Sequence, residues 1–214
     1  MNCFGIQAAG DYEIQIEKSR FICYFAPVNT AEEAQAFIET IKKRNWDATH
    51  NCSAYLLGEN QQVQKANDDG EPSGTAGIPM LEVLKKRNLT NIVVVVTRYF
   101  GGIKLGAGGL VRAYTQSVVS ALDTVATLVE KLPLLRIQFM LPFELAFKVE
   151  NTLRHDTRFI VESVAYFSEA VTFFVLISPE SEVLFQENLH MLCNQEVDIY
   201  PIETIYHEKI LVSD

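Results

Sequence analysis

The chain has 214 residues, of which 48% are apolar and 21% charged, and its formal net charge at pH 7 is -9. This balance excludes disordered, collagen-like and low-complexity proteins and predicts a soluble globular protein. At about 150 residues per domain, the length fits one large domain or two small ones. No apolar run approaches the roughly 20 residues that span a bilayer, so no membrane partner is expected. The first ten residues lack the features of a secretion signal, so we expect a cytoplasmic protein.

Charge and cysteines narrow the class further. Up to Glu130 there are 12 Lys and Arg against 14 Asp and Glu, a net charge of -2, and from Lys131 onward there are 6 against 13, a net charge of -7. A chain this acidic does not bind nucleic acid indiscriminately, although a local cationic site in the first part is compatible with it. The four cysteines form no C-x-x-C pair, so they are expected to be reduced and mostly buried.

The first part of the chain has the pattern of a small α/β unit. Apolar and polar residues alternate at 12–16, which predicts a strand that pairs with a second strand at 21–28. Thr30 supplies an N-cap for a helix that ends near Arg44. The β-branched run 91–97 predicts a strand covered on both faces, at the centre of the sheet. The other predicted elements are a strand at 50–58, a loop at 61–77, a helix after this loop and a long helix from Leu110 to Leu128. The buried face of the helix after the loop is predicted to be Ile78, Leu81 and Leu84, and its first turn contains Pro79.

From Leu132 the pattern of elements starts again. The predicted elements are a strand at 134–141, a helix at 143–154, strands at 158–167 and 170–177, a helix at 180–193 and a strand at 197–206. This β-α-β-β-α-β order is that of the ferredoxin-like fold. The fold class is therefore α+β with two domains, residues 1–128 and 133–214, joined near residues 127–133.

The segment 68–77 breaks the ordinary patterns, and such breaks are common at functional sites. Its sequence is D-D-G-E-P-S-G-T-A-G. The residues of interest in this acidic loop are Asp68, Asp69, Glu71, Ser73 and Thr75. Three carboxylates could hold a hard cation or supply an acid and a base. The alternative is a solvated turn whose acids and hydroxyls cap the following helix.

A second unusual segment, the glycine loop 98–109, joins the central strand to the long helix. Backbone N–H groups and the helix dipole at such a junction can receive a phosphate or another anion. Its spacing matches neither a P-loop nor a dinucleotide-binding fingerprint. The candidate anion-binding residues are Arg98, Gly101, Gly102, Lys104, Gly106, Gly108, Gly109 and Arg112. The alternative is that the glycines only permit close packing or positive φ, and that Arg98 is paired with a carboxylate of the acidic loop.

Two further pairs are weaker candidates. His50 and Cys52 lie on the same side of one strand, as a nucleophile and its base would, but no third group completes the set, and a structural histidine beside a buried thiol is favoured. Tyr99 and Phe100 could stack on bases, although such a pair is more often divided between core and surface. Catalytic residues and metal ligands are therefore unknown at this stage, and no cofactor is indicated.

The acidic loop and the segment V-V-V-T-R-Y-F-G-G-I-K-L-G-A-G-G-L-V-R-A-Y at 94–114 together resemble the signature of the IMPACT/YigZ family. Residues 47–55 resemble the family as well, so the resemblance covers residues 1 to about 128. It implies a first domain similar to domain 2 of ribosomal protein S5, and a second, ferredoxin-like domain similar to one in elongation factor G. It also implies a role associated with translation or RNA, because eukaryotic members are linked to regulation of the kinase that phosphorylates translation initiation factor two alpha. The resemblance supplies no catalytic residues.

Three functions follow from these observations. The first is a non-catalytic binding or regulatory protein that recognises RNA, a ribosomal component or a translation factor through both loops. The second is an enzyme that acts on a phosphorylated or nucleotide substrate with a divalent metal at the same loops, so whether the chain is an enzyme stays open. The third places a protein partner at the acidic C-terminal domain. We expect both loops to lie on one face of the first domain.

Overall fold

The structure, a computed structural model, describes residues 3–210. Within these residues the chain forms two compact units. The first runs to Lys131 and includes Glu208 to Ile210, and the second is Leu132–His207. The two-domain α+β class is confirmed. Independent folding of residues 1–128 and 133–214 stays a prediction.

The first unit contains most of the secondary structure. Its elements are β1 (Cys3–Ile6), β2 (Gly10–Ile16), β3 (Ser19–Pro27), α1 (Ala31–Arg44), β4 (His50–Leu57), β5 (Val63–Asn67), α2 (Gly77–Lys86), β6 (Ile92–Tyr99) and α3 (Gly106–Thr124). The next strand, β7 (Leu128–Leu141), begins in the first unit and continues into the second. Residues 128–131 of β7 pair antiparallel with β1.

The sheet of the first unit has the order β2-β3-β6-β4-β5, and all neighbours in it are antiparallel. The central position predicted for the run 91–97 is confirmed, because β6 lies between β3 and β4. Val94 and Val96 pack into a core with α2 and α3, whereas Val93 and Val95 pack with α1 on the opposite face. Both faces of β6 are therefore dry, which explains why it has no polar alternation. Thr30 caps α1 as expected, accepting from the Glu33 N–H at 3.2 Å.

Four local expectations differ from the structure. The helix predicted to reach Leu128 ends at Thr124, and the join predicted at 127–133 is instead the start of β7, because residues 128–131 pair with β1. β1 was not predicted, and β5 occupies part of the predicted loop 61–77. β5 is an edge strand of mostly polar residues, so it lacks the alternation that marks a half-buried strand. Ile78 was expected in the core but is 51% exposed, and Met80, Leu81, Val83 and Leu84 form the buried face of α2. Pro79 lies in the first turn of α2, as predicted.

The second unit has the predicted β-α-β-β-α-β order. After β7 come α4 (Phe143–His155), β8 (Ile160–Tyr166), β9 (Val171–Ile177), a short 3-10 helix at Pro179–Ser181, α5 (Glu182–Cys193) and β10 (Tyr200–Ile210). β9 lies between β7 and β8, and β10 pairs with β7 on its other side. Inward residues of β7 and β9 form a core with α4 and α5. Among residues 3–210, no helix is both long and apolar enough to cross a membrane.

Candidate functional site

Asp68 organises the acidic loop from inside. Its carboxylate accepts hydrogen bonds from the backbone N–H groups of Gly74 at 2.8 Å, Ala76 at 3.0 Å and Gly77 at 2.8 Å. The last two begin α2, so Asp68 satisfies N–H groups that the helix leaves without partners. Thr75 is buried and donates its hydroxyl to the Pro72 carbonyl at 2.6 Å, whereas Ser73 is exposed. Asp68 therefore makes the kind of contact that the capping alternative required, whereas the Thr75 hydroxyl bonds within the loop and does not cap α2.

Asp69 ties the loop to two other elements. One carboxylate oxygen is 2.6 Å from the Lys42 ammonium of α1, and the other accepts the Asn51 N–H of β4 at 2.7 Å. The residue has a φ of +46°, a left-handed conformation that is uncommon outside glycine but tolerated by aspartate. Its carbonyl then faces His50 at 2.8 Å. Asp69 therefore fixes the loop over the start of β4.

Glu71 and Arg98 form a buried ion pair that joins the acidic loop to the glycine loop. The Arg98 guanidinium donates to the Glu71 carboxylate at 2.6 Å, and their side chains are only 6% and 4% exposed. The guanidinium is therefore not exposed at the surface, because the acidic loop covers the end of β6. The pairing itself is the alternative considered for Arg98. It brings the two loops to the same place in the first unit.

A buried hydroxyl and a buried thiol extend this pair into the core. Tyr114 of α3 donates to Glu71 at 2.8 Å, and the Cys52 thiol lies 3.3 Å from the Tyr114 hydroxyl and 3.0 Å from the Asp68 carbonyl. Burial raises the pKa of Cys52 to about 12, with nearby carboxylates adding to the shift. Burial also raises the pKa of Tyr114. Both groups are protonated at neutral pH, so Cys52 has no thiolate for nucleophilic attack.

His50 has one ring nitrogen fixed and one open. Its Nδ1 is 2.8 Å from the Asp69 carbonyl, which can only accept, so Nδ1 carries the hydrogen. Its Nε2 is 3.8 Å from the Glu71 carboxylate, and the side chain is 21% exposed. The sequence correctly placed His50 and Cys52 on one side of a strand. It did not indicate Glu71, which His50 approaches directly and to which Cys52 is linked through the Tyr114 hydroxyl, because Glu71 is 19 or more residues away in a loop.

These residues line a cavity of about 330 Å³ at the junction of the two loops. Its lining residues are Thr49, His50, Glu71, Pro72, Arg98, Phe100, Lys104, Leu105, Gly106, Ala107 and Leu110. Lys104 is exposed on its wall, and Phe100 is 47% exposed. A groove of about 470 Å³ between α2 and α3 is larger, but its lining of residues such as Ile78, Val111 and Val119 lacks a comparable convergence of buried polar groups. The smaller cavity is therefore the candidate site.

The glycines of the second loop have different roles. A Cβ on Gly101 would lie 2.1 Å from the backbone of Lys18, and the Gly101 N–H donates to the Ser19 hydroxyl at 3.1 Å, so Gly101 is required by close packing against the β2–β3 turn. Gly102 and Gly106 have φ values of +85° and +69° with open space around them. Gly106 also lines the cavity, and α3 begins there.

The remaining predicted residues lie farther along α3. Gly108 is exposed, and a Cβ on Gly109 would approach Leu105 at 2.9 Å. Arg112 is exposed and does not line the cavity. The Tyr99 hydroxyl donates to Asn45 and Asp47, so Tyr99 has a structural role. Phe100 is exposed at the surface. Among residues 3–210, no group of three or more His, Cys, Asp and Glu side chains is arranged to hold a metal ion.

Comparison with known proteins bears on the same segment. The Impact N-terminal domain model matches residues 17–122, which include both loops and the whole lining of the cavity. The chain is 51% identical over 207 residues to the IMPACT family member YvyE of Bacillus subtilis, covering 96% of this chain and 94% of that protein. The chain belongs to the IMPACT family.

Solved structures include similar chains. One, described only as a hypothetical protein, is 32% identical with a TM-score of 0.62, covering 94% of this chain and 98% of the other. The two-domain translational regulator Yih1 is 27% identical over 53% of this chain and 46% of its own, with a TM-score of 0.37. The predicted family is confirmed by the match to the Impact N-terminal domain model and by the identity to YvyE.

Proposed function

We propose that this IMPACT family member is a non-catalytic regulatory protein associated with translation, which binds ribosomal RNA or a ribosomal particle through the cavity between the acidic loop and the glycine loop. Family membership supports the association with translation. The observation that carries the choice of site is the Glu71–Arg98 pair, because it closes both loops around one cavity and leaves Lys104 on its wall. An exposed lysine in a concave site attracts the phosphates of a nucleic acid.

An enzymatic function at the same cavity has one specific observation in its favour. His50 has its Nδ1 hydrogen engaged and its Nε2 directed toward Glu71 at 3.8 Å, an arrangement suited to a general base. A phosphorylated or nucleotide substrate would place its charge at Lys104. Neither nearby candidate is an activated nucleophile, since the Thr49 hydroxyl of the lining accepts the Phe100 N–H and the neighbouring Cys52 is held as a thiol. Binding without catalysis is therefore preferred.

We also propose that a protein partner binds to the second unit. Residues 132–207 contain 4 Lys and Arg against 11 Asp and Glu, a net charge of -7. Phe147 is 79% exposed, and Phe143 and Tyr166 beside each other are 47% and 60% exposed. A basic protein segment would be attracted by the charge and would bury the aromatic rings.

The test of the proposed function compares two lysine variants in binding to purified ribosomes and to total ribosomal RNA. Lys104→Glu is expected to weaken binding at least tenfold and to reduce the salt dependence by about one phosphate contact. Lys43→Glu is the matched control, because Lys43 is exposed on α1 and does not line the cavity. Equal binding by the two variants would exclude the cavity as the binding site.

A further inference from the structure

Behind the cavity, Arg98 and three aromatic rings pack against one another in a series that ends at the cavity wall. The Arg98 guanidinium carbon lies 5.4 Å from the centre of the Phe21 ring and 5.5 Å from that of Phe100. Phe21 is fully buried, and its ring meets Tyr114 edge to face at a centroid distance of 5.4 Å. Phe100 is the outermost member of the series and is 47% exposed.

Phe100 is held in place before any ligand arrives. Its backbone N–H donates to the Thr49 hydroxyl at 3.0 Å, and Arg98 behind it is fixed by Glu71. An aromatic ring with one side supported and part of its surface open is a platform on which a planar group can stack. Holding the ring beforehand reduces the ordering cost of binding.

Arg98 gives a second, independent indication of a ligand. Its Nε is buried and has no hydrogen-bond partner among the described residues, although the side chain is 6% exposed and lines the cavity. A buried guanidinium N–H without a partner is costly, and an oxygen atom from a ligand would satisfy it. The Glu71 carboxylate is engaged by the other end of the same guanidinium.

The rest of the cavity is suited to a phosphate. Lys104 lies on its wall, and the first residues of α3, Gly106 and Ala107, also line it. The first turn of α3 contains no acidic residue, and no side chain caps it. N–H groups at the start of a helix carry partial positive charge, so together with the ammonium they favour an anion at this end of the cavity.

We propose that the cavity binds one nucleotide of a single-stranded RNA, with the base stacked on Phe100 and the phosphate at Lys104. This rests on the proposed function and narrows it to a nucleotide contact. A volume of about 330 Å³ lies at the lower end of the range of small-ligand pockets, which suits one nucleotide and not a folded element. His50 lines the same cavity, and its Nε2 is the group available to the polar edge of the base. An acidic peptide would pair with Lys104 but would leave the Phe100 ring without a planar partner.

The experiment measures binding of the full chain to four nucleoside monophosphates, to the corresponding nucleosides and to inorganic phosphate by titration calorimetry. The monophosphates are expected to bind more tightly than either phosphate or the nucleosides. Phe100→Leu keeps an apolar side chain without the ring and is expected to weaken monophosphate binding about 10- to 100-fold, while phosphate binding stays unchanged. Phe167→Leu, at an aromatic residue of the second unit that is 61% exposed, is the matched control and is expected to have no effect. Lys104→Gln is expected to weaken the binding of phosphate and monophosphates alike.

The outcomes separate this inference from the proposed function. Monophosphate binding that is equal in the Phe100→Leu and Phe167→Leu variants overturns the stacking role, as does tighter binding of phosphate alone than of any monophosphate. If monophosphates do not bind while ribosome binding still depends on Lys104, the nucleotide assignment is wrong and the proposed function stands. If ribosome binding is independent of Lys104, the proposed function is wrong whatever the calorimetry shows.

Discussion

The Glu71→Gln variant is the sharpest test of how the two loops are held together. The substitution keeps the size of the side chain and removes the charge that pairs with Arg98 at 2.6 Å and accepts from Tyr114 at 2.8 Å. Because both charged groups are almost fully buried, the arginine would be left as an unpaired charge in the interior. Removing one partner of a buried pair costs about 3–5 kcal/mol. For a protein of this size, 1 kcal/mol corresponds to about 2–4 °C, so the melting temperature should fall by roughly 6–20 °C.

The assay is thermal unfolding followed by circular dichroism, with Glu82→Gln as the control. Glu82 pairs with Lys85 at 2.9 Å but is 46% exposed, so its loss should leave the melting temperature unchanged. The double variant Glu71→Gln with Arg98→Met removes the unpaired charge and should recover part of the lost stability. If Glu71→Gln has the same melting temperature as the Glu82→Gln control, the reasoning is refuted, since the Glu71–Arg98 pair would then be solvated in solution.

Two other predictions concern packing and ionisation. Gly101→Ala should destabilise the protein by about 3 kcal/mol or more in urea unfolding, because its Cβ would meet the Lys18 backbone at 2.1 Å. Gly74→Ala, at a φ of +76° with open space, should cost only about 1 kcal/mol, and equal losses would contradict the packing role. The Cys52 pKa is raised to about 12 from an unfolded value of about 8.5, so its contribution to stability is complete below pH 8.5 and is lost as pH rises toward 12. Between pH 9 and 10 the unfolding free energy of the wild-type protein should fall, and in Cys52→Ala this fall should be smaller by up to about 1.4 kcal/mol. An equal pH dependence of the unfolding free energy in the two proteins, measured by urea titration, would contradict the assigned burial.

The sequence predicted those parts of the fold that local pattern determines. Residues 92–96 of β6 are a continuous apolar run because both faces of the strand are covered, and α1 begins directly after Thr30 because that side chain caps it. β5 was missed because an edge strand need not alternate. The positions of Glu71 and Arg98 could not be read from the sequence, because two opposite charges 27 residues apart are compatible with solvation or with a buried pair, and only the tertiary fold decides between them.

The geometry of the acidic loop also bears on how a chain with a net charge of -9 could bind a phosphate. In the sequence, its three carboxylates look like a cation site that would repel an anion from the neighbouring glycine loop. In the structure each carboxylate is engaged: Asp68 by backbone N–H groups, Asp69 by Lys42 and Glu71 by Arg98. The carboxylates therefore build the wall of the cavity with their charges already balanced by these partners. Lys104 is then the cation on the wall whose charge is available to a ligand, and this is why a single substitution there tests the site.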